Sequence, residues 1–483
     1  MTIDSSIGGY TGDRRFTRRS SSLAHKPNTH PAKITVNHWQ LRDLVQPSSR
    51  DTNEILYTHE SAIKMTDRST GKMSTTCELD FHPRCFKEAH DKIVSGGVIS
   101  SVNANNSNSH MNRSFSNIGD GQSGQGSTWR GLFSFYNRET QESMSIRLGS
   151  YINNNASISK IGNSEYSSFV CNNDMSIYNT LITPSSIVVN SSLPLDFPLN
   201  HSDLSDDRKN LVVVGDSSNI VFLHPGQEDS TRIHRDQVIE TGCDSGFSTS
   251  FDQSGLHFAS CFQDGTCLIY DTRNVSAGPM DRIYSTRRNS SSGALRCVKY
   301  SRGTDDLLLI SEHVGRVHVV DTRDFNNHQV IVLPFNTYHR PRSGRGTTED
   351  HMDTQTGALA ARVMEYSDIL SLEHSDVSGN SYASRNLNNF GLLNAMDSEA
   401  LYDSDMEEDA VADHSFNRTR ESGASFDSAY SEGSEYVYDK EICGVDWFED
   451  REGSHVIIGH ETGLLSWNID TWSRRTFPSF HML

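Results

Sequence analysis

The residues best able to do chemistry in this chain are scattered. Eight cysteines, at positions 77, 85, 171, 243, 261, 267, 297 and 443, include no C-x-x-C pair and no Cys/His group at zinc spacing. They read as reduced thiols, not as a metal site or a disulfide framework. His455 and His460 flank an expected strand, which suits a turn or surface role better than a ligand pair. Asp305 and Asp306 precede an apolar run, where a solvated turn is the ordinary reading and a general acid/base pair the special one. There is no Gly-rich phosphate loop, Gly-x-Ser-x-Gly elbow or His-Glu-x-x-His. The expectation is a binding protein with no catalytic set, metal or cofactor.

Other residues suit contact or modification. MDSEALYDSDMEEDAVAD, from Met396 to Asp413, has eight acidic residues in eighteen, including neighbours of Ser398 and Ser404. It reads as a solvating segment, a contact for a basic partner, or a phosphorylation site. RRNS (Arg287, Arg288, Ser290) and RRFTRRSSS (Arg14 to Ser22) place arginines ahead of serines, as basophilic kinases favour. A phosphate there adds about two negative charges near paired arginines. TFPSFHML, from Thr476 to Leu483, carries Phe477, Phe480 and Leu483. It is either the outer strand closing the last repeat or an exposed partner anchor.

The elements that must position these groups emerge from composition and pattern. Only 34% of the residues are hydrophobic, against 43 basic and 62 acidic residues and a net charge of −19. That balance points to a folded body with disordered inserts and disfavours direct nucleic-acid binding. With no apolar run of about 18 residues and no apolar N-terminal signal core, the reading expects a soluble chain, cytoplasmic or nuclear, without membrane contact. Polar, aperiodic stretches at residues 1–32, 100–127 and 335–437 read as a disordered tail, a loop insertion and a disordered acidic insert.

Between them, one unit repeats: a short apolar run, a polar turn, and a second apolar run, which is a β-hairpin. GLHFASCFQDGTCLIYDTR turns at Asp264 and Gly265 and returns through Tyr270 to Asp271. About 50 residues on, DLLLISEHVGRVHVVDTR repeats it, with Gly315 matching Gly265 and Asp321 matching Asp271. Weaker copies turn at Asn173 and Asp174, near Ser217 and Ser218, and at Thr462 and Gly463. With a further strand before each, four strands per unit make a propeller blade. The units predict an all-β, WD-repeat-like β-propeller, seven blades being the favoured count, with six in residues 33–334 and a final one in 438–483 closing the ring. The strands near Leu464 to Phe477 should then lie beside those around Ile34 to Leu44.

Tyr270 and Asp271, and again Val320 and Asp321, sit where WD repeats carry their Trp-Asp pair, and Asp264 resembles that family's tight-turn aspartate. More closely, Asp306, Leu307 and Leu308, with HWQLRDLVQ from His38, FPLNHSDLSDDRKNLVVVGDS from Phe197 and FSTSFDQSGLHFASCFQDGT from Phe247, resemble a fungal WD-repeat family. That family is defined by a short domain of unknown function with an Asp-Leu-Leu signature. It includes a budding-yeast substrate receptor of the GID ubiquitin ligase that recognises the N-terminal end of its targets. The resemblance implies substrate recruitment, with ligase scaffold subunits and substrate N-termini as partners. The alternative is a general scaffold that binds basic or chromatin-associated proteins through the acidic insert.

Overall fold

The apolar runs of the repeated hairpins become the middle strands of seven antiparallel sheets set around a central channel. The computed structural model describes residues 23, 26–38, 40–98, 131–225, 233–288, 290–303, 305–334, 336–339, 361–375, 435–451 and 453–470. Residues 45–78, 82–147, 153–194, 199–240, 246–284 and 295–332 form the first six blades, and 442–468 the seventh. The chain is thus a seven-bladed β-propeller.

Strand alternation explains how the blades hold together. In Leu211–Gly215, Leu211 and Val213 pack with Phe169 and Cys171 of the third blade, whereas Val212 and Val214 pack with Phe258 and Phe262 of the fifth. A middle strand buried on both faces favours apolar residues at most positions, which is why segments such as Leu211–Gly215 read as continuous apolar runs. Each buried Val, Leu, Ile or Phe contributes about 1.5–3 kcal/mol. The core divides into seven clusters, one at each junction between adjacent blades.

Ring closure differs from the expectation. The outermost strand of the seventh blade is Asn28–His30, which pairs with Gly463–Asn468, and Leu23 bridges to Ile469. Structure therefore begins inside the segment read as a disordered tail to residue 32. Its Asn-Thr-His sequence is polar because an outermost strand needs backbone partners more than apolar side chains. Ile34 and Leu44 do pack against Leu464, as part of the closing junction.

The two internal insertions fall between strands. In the second blade, Lys92–Val98 pairs directly with Gly131–Asn137, so the intervening residues leave the ladder intact. The segment read as a disordered insert, 335–437, contains structure: Asn336–His339 pairs with Glu435–Tyr438, Arg362–Glu365 adds a fifth strand to the sixth blade, and helix Tyr366–Ser375 follows. Tyr366 stacks on His328 with ring centroids 4.1 Å apart, which anchors this arm to the blade. Its sparse apolar pattern hid it among polar neighbours.

The innermost strands carry a second regularity. Six of them have a register shift at one bulged residue near the strand start: Arg84, Asn154, Asn200, Phe247, Arg296 and Cys443. A bulge re-aims its side chain. The innermost strands run parallel to one another, as Ser248 with Val298 and Ser250 with Tyr300 pair in step, each hydroxyl accepting a backbone N–H at 3.2 Å. The bulges therefore share one level of the channel.

Candidate functional site

A cavity of about 210 Å³ lies at the hub and draws its walls from blades two to seven and from the segment leading into the first. Its lining is polar because the innermost strands present their side chains there and to the next blade's backbone. Asn154 Nδ2 donates to Leu199 O at 2.8 Å and Asn200 Nδ2 to Gly246 O at 3.0 Å, each tying its blade to the next. The NH2 groups of these buried amides are used by the ring itself, while Oδ1 of Asn154 is buried without a hydrogen-bond partner among the described residues.

Asp43, on the segment leading into the first blade, crosses the middle of the cavity. Its carboxylate accepts from Lys299 Nζ of the sixth blade at 2.5 Å and lies 3.6 Å from His201 of the fourth. Burial pushes the Asp43 carboxyl up, yet Lys299 and His201 hold it well below the usual carboxylate range. Lys87 shares this belt, and the Lys299 charge together with burial lowers its pKa. The belt joins non-adjacent blades through the hub.

The two mouths on either side of the belt differ in charge. Toward the strand starts lie Arg84 and Arg296, with Arg42 nearby. Arg42 is committed: it pairs with Glu441 and donates to the carbonyls of His38 and Leu41. Arg296 lies over the Phe247 ring, 4.3 Å from its centroid. Burial, then Arg84, Arg42 and Arg296, lower His38 to about 3, and burial lowers His313 to about 4 although Glu441 opposes it. Both imidazoles are held neutral.

Toward the strand ends lie Asp203, Asp206, Asp252 and Arg302. Asp203 accepts the Phe251 N–H at 2.7 Å, and Asp252 accepts from Ser254 and His257. Asp206 is exposed and has no hydrogen-bond partner among the described residues. Burial and the charges of Asp203, Asp207 and Asp252 raise its pKa, against the pull of Arg302. A carboxylate in that setting gains from an arriving cation.

The residues singled out in the sequence prove to be mostly framework. Asp264 Oδ1 accepts the Thr266 N–H at 3.0 Å and Gly265 has φ +82°, a left-handed turn in which a side chain would also meet Ser285. Gly315 repeats it at φ +69°, and Gly463 opens the last hairpin's return strand. Among the described residues Asp264 is not joined to a histidine, so they do not form the WD tight-turn network in this blade. Tyr270 is buried and stacks on Phe258, centroids 5.2 Å apart.

The two Asp-Thr-Arg copies do the same job. Asp271 and Asp321 each accept the N–H of the arginine two residues on, while Thr272 and Thr322 donate their N–H groups to Leu256 O and Asp306 O. Asp306 thus lends its carbonyl to a strand end at φ +50°. Leu307 packs toward the seventh blade and Leu308 toward the fifth, so the Asp-Leu-Leu triplet is structural in this ring.

Ser290 caps a short helical turn, its hydroxyl donating to Arg287 O and accepting from Gly293 N. Arg287 of the RRNS motif is buried in ion pairs with Glu312 at 2.9 Å and Asp439 at 2.7 Å. His455 and His460 lie within the strand Gly453–His460, both buried, not at its flanks. His455 bridges Asp450 and Asn468, a structural contact. Ser398, Ser404, Phe477, Phe480 and Leu483 lie outside the described residues. Sequence reasoning missed the channel residues, since neither a bulge nor a hub-facing position leaves a periodic trace.

Seven of the eight cysteines are buried and all are unpaired. Burial pushes the Cys77, Cys171 and Cys297 thiols up to about 12, which suppresses the reactive thiolate. Among the described residues no group of three or more His, Cys, Asp or Glu side chains is placed to hold a metal ion. No helix among them is long and apolar enough to cross a membrane.

Comparison with known proteins adds relatives. The profile of an uncharacterised protein domain (DUF2415) matches residues 293–332, which span the four principal strands of the sixth blade and include Asp306, Leu307 and Leu308. The chain is 32% identical to the uncharacterised protein YLR149C of Saccharomyces cerevisiae over 398 residues, covering 63% of this chain and 54% of that protein. It therefore spans about half the length of that relative. It is 24% identical to the uncharacterised protein C4G3.03 of Schizosaccharomyces pombe, covering 69% of this chain and 88% of that one. Among solved structures, that of Chaetomium thermophilum Sqt1 bound to the N-terminus of a ribosomal protein aligns with a TM-score of 0.35 and 11% identity, covering 48% of this chain and 57% of that chain.

Proposed function

We propose that this propeller is a substrate-recruiting subunit of a GID/CTLH-type ubiquitin ligase, and that it holds the protonated N-terminus of a partner at the carboxylate mouth of the channel. The observation that carries the reading is Asp206, a carboxylate without a hydrogen-bond partner among the described residues, at the rim of a hub cavity beside Asp203 and Asp252. An α-amine has a pKa of about 7.7–8.0 and is mostly cationic at neutral pH. A charge-assisted bond to a carboxylate with free acceptor capacity is a direct way to read it. The ligase connection is supported by the resemblance of Asp306, Leu307 and Leu308, and of the segments from His38, Phe197 and Phe247, to the Asp-Leu-Leu family. The protein's role in this reading is binding, not catalysis.

Affinity purification of the full chain followed by mass spectrometry tests the assignment. Ligase scaffold subunits should co-purify with the wild type, and recruited substrates should drop out with Asp206→Asn. Absence of every ligase subunit from the wild-type sample would sink the ligase assignment.

One observation favours a second reading, a scaffold for basic proteins. The pairing of Asn336–His339 with Glu435–Tyr438 brings the ends of the acidic insert together at the ring. Deleting residues 396–413 separates the readings: a scaffold loses its partners, whereas a channel receptor keeps them.

A further inference from the structure

Two lysines hold equivalent places in the channel wall. Lys87 lies three residues past the bulged Arg84 of the second blade and Lys299 three past the bulged Arg296 of the sixth, so the bulge ring sets both at one level. Both line the cavity. Their circumstances differ. Lys299 Nζ donates to Asp43 at 2.5 Å, whereas the half-buried Lys87 ammonium has no hydrogen-bond or ion-pair partner among the described residues. Two carboxylates attract it from a distance, but Asp43 is taken by Lys299, and Asp446 accepts the Trp447 N–H at 2.7 Å. Lys299 and Arg302 repel it. Two charges of each sign thus act on Lys87, and its own is left over. The adjoining third blade adds a second unused donor. Asn155 lines the same cavity and uses its Oδ1 to accept from the N–H and hydroxyl of Ser202, both at 3.2 Å, which fixes the orientation of the amide. Its Nδ2 has no partner among the described residues.

We propose that Lys87, with the Asn155 amide beside it, is a carboxylate-binding subsite within the channel. One carboxylate oxygen would accept from the ammonium and the other from the amide, a charge-assisted pair in which neither donor has to give up an existing bond. The sign and size of the charge select the ligand. A monoanion matches the single uncompensated ammonium, whereas a dianion would also meet Asp43 and Asp446. Lysine suits this task because its ammonium is a compact point charge on a flexible stem. The Lys299 charge, followed by burial, lowers the Lys87 pKa, the direction expected of a cation whose neighbours do not compensate it. A cavity of about 210 Å³ exceeds the roughly 30 Å³ share of one liquid water and leaves room for a carboxylate. The subsite rests on other residues than the amine reading at Asp206 and answers to other probes, so either can fail without the other.

The test is calorimetric titration of the full chain, in a buffer free of carboxylates, with N-acetylglycine and its neutral twin N-acetylglycinamide. A second pair of probes is the peptide Ala-Glu-Ala, capped at both ends, and its Ala-Gln-Ala twin. The acid of each pair should bind saturably and the amide should not. Lys87→Met, which keeps the length of the side chain and removes the charge, should weaken acid binding about tenfold or more. Asn155→Asp keeps an oxygen for Ser202 but replaces the donor with a carboxylate, and should weaken it as well. Tighter binding of the Glu peptide than of N-acetylglycine identifies the acidic side chain of a partner as the source of the carboxylate. Equal or weaker binding of the peptide identifies a small free acid, and either result supports the subsite. The proposal is overturned if neither acid binds, if acid and amide act alike, or if either folded variant binds the acid as the wild type does.

Discussion

The carboxylate mouth of the channel and the buried charge cluster of the sixth blade are built on opposite terms. On its second strand, Glu312 is fully enclosed and accepts from Ser285 Oγ, the Thr286 N–H and hydroxyl, His318 Nε2 and both Arg287 Nε and Nη2, at 2.6–3.0 Å. Arg287 and His318 hold its carboxyl well below the ordinary range in spite of burial. At the carboxylate mouth, exposed Asp206 has no hydrogen-bond partner among the described residues. A fully matched cluster can only hold the structure, because any ligand would have to displace an existing bond. An unmatched one leaves free energy to be gained by binding.

The largest expected effect lies on the matched side. Glu312→Ala strands Arg287 without its main counter-ion and should cost about 3–5 kcal/mol, measured by denaturant unfolding. Ligand affinity of the protein that stays folded should be unchanged. A loss below about 1 kcal/mol would erase the distinction between the clusters.

Acid should act on the same side, in two stages. Burial, and then the charge of His318, depress His328 well below its ordinary 6.5, so the unfolded chain takes up that proton first. Its contribution is whole above pH 6.5 and is lost as pH falls below it. Glu312 is likewise depressed from 4.5, so its contribution is whole above that value and drains away only in stronger acid. Unfolding midpoints should therefore fall as pH drops below about 6.5, a slope to which His30, His38, His313 and His460, depressed in the same direction, also contribute, and His328→Gln should remove part of it. A slope unchanged by the substitution would assign it to another group.

Effects on stability should be smaller in the channel. Arg84→Gln removes a cation with too little compensation, so unfolding free energy should move by no more than about 1 kcal/mol in either direction. Asp206→Asn, at an exposed rim position, should move it by about 0.5 kcal/mol or less. A severe destabilisation by either would make these residues framework after all.

The same contrast explains what could be read from the sequence. Middle strands such as Leu211–Gly215 and Leu307–Glu312 were legible because burial on both faces demands apolar residues, and the Gly265 and Gly315 turns fixed their register. Asn153–Ala156, the innermost strand of the third blade, was not legible. It is fully buried yet polar, stabilised by amide hydrogen bonds to its neighbours instead of by apolar contact. The closing strand Asn28–His30 escaped for a related reason, since its ladder uses backbone groups that every sequence possesses. Arg84, Arg296 and Asp206 gain their meaning only from convergence on the hub. The Asp-Leu-Leu triplet was conspicuous in sequence, but it serves turn and core.

The central claim is that the carboxylate mouth reads a free amino terminus, and one measurement addresses it most directly. Two peptides differing only in N-terminal acetylation are titrated into the full chain and into Asp206→Asn, with binding followed by calorimetry. The account predicts that the free amine binds the wild type at least about tenfold more tightly, and that the difference collapses in the variant. Equal binding of the two peptides, or a preference that survives in Asp206→Asn, would contradict it.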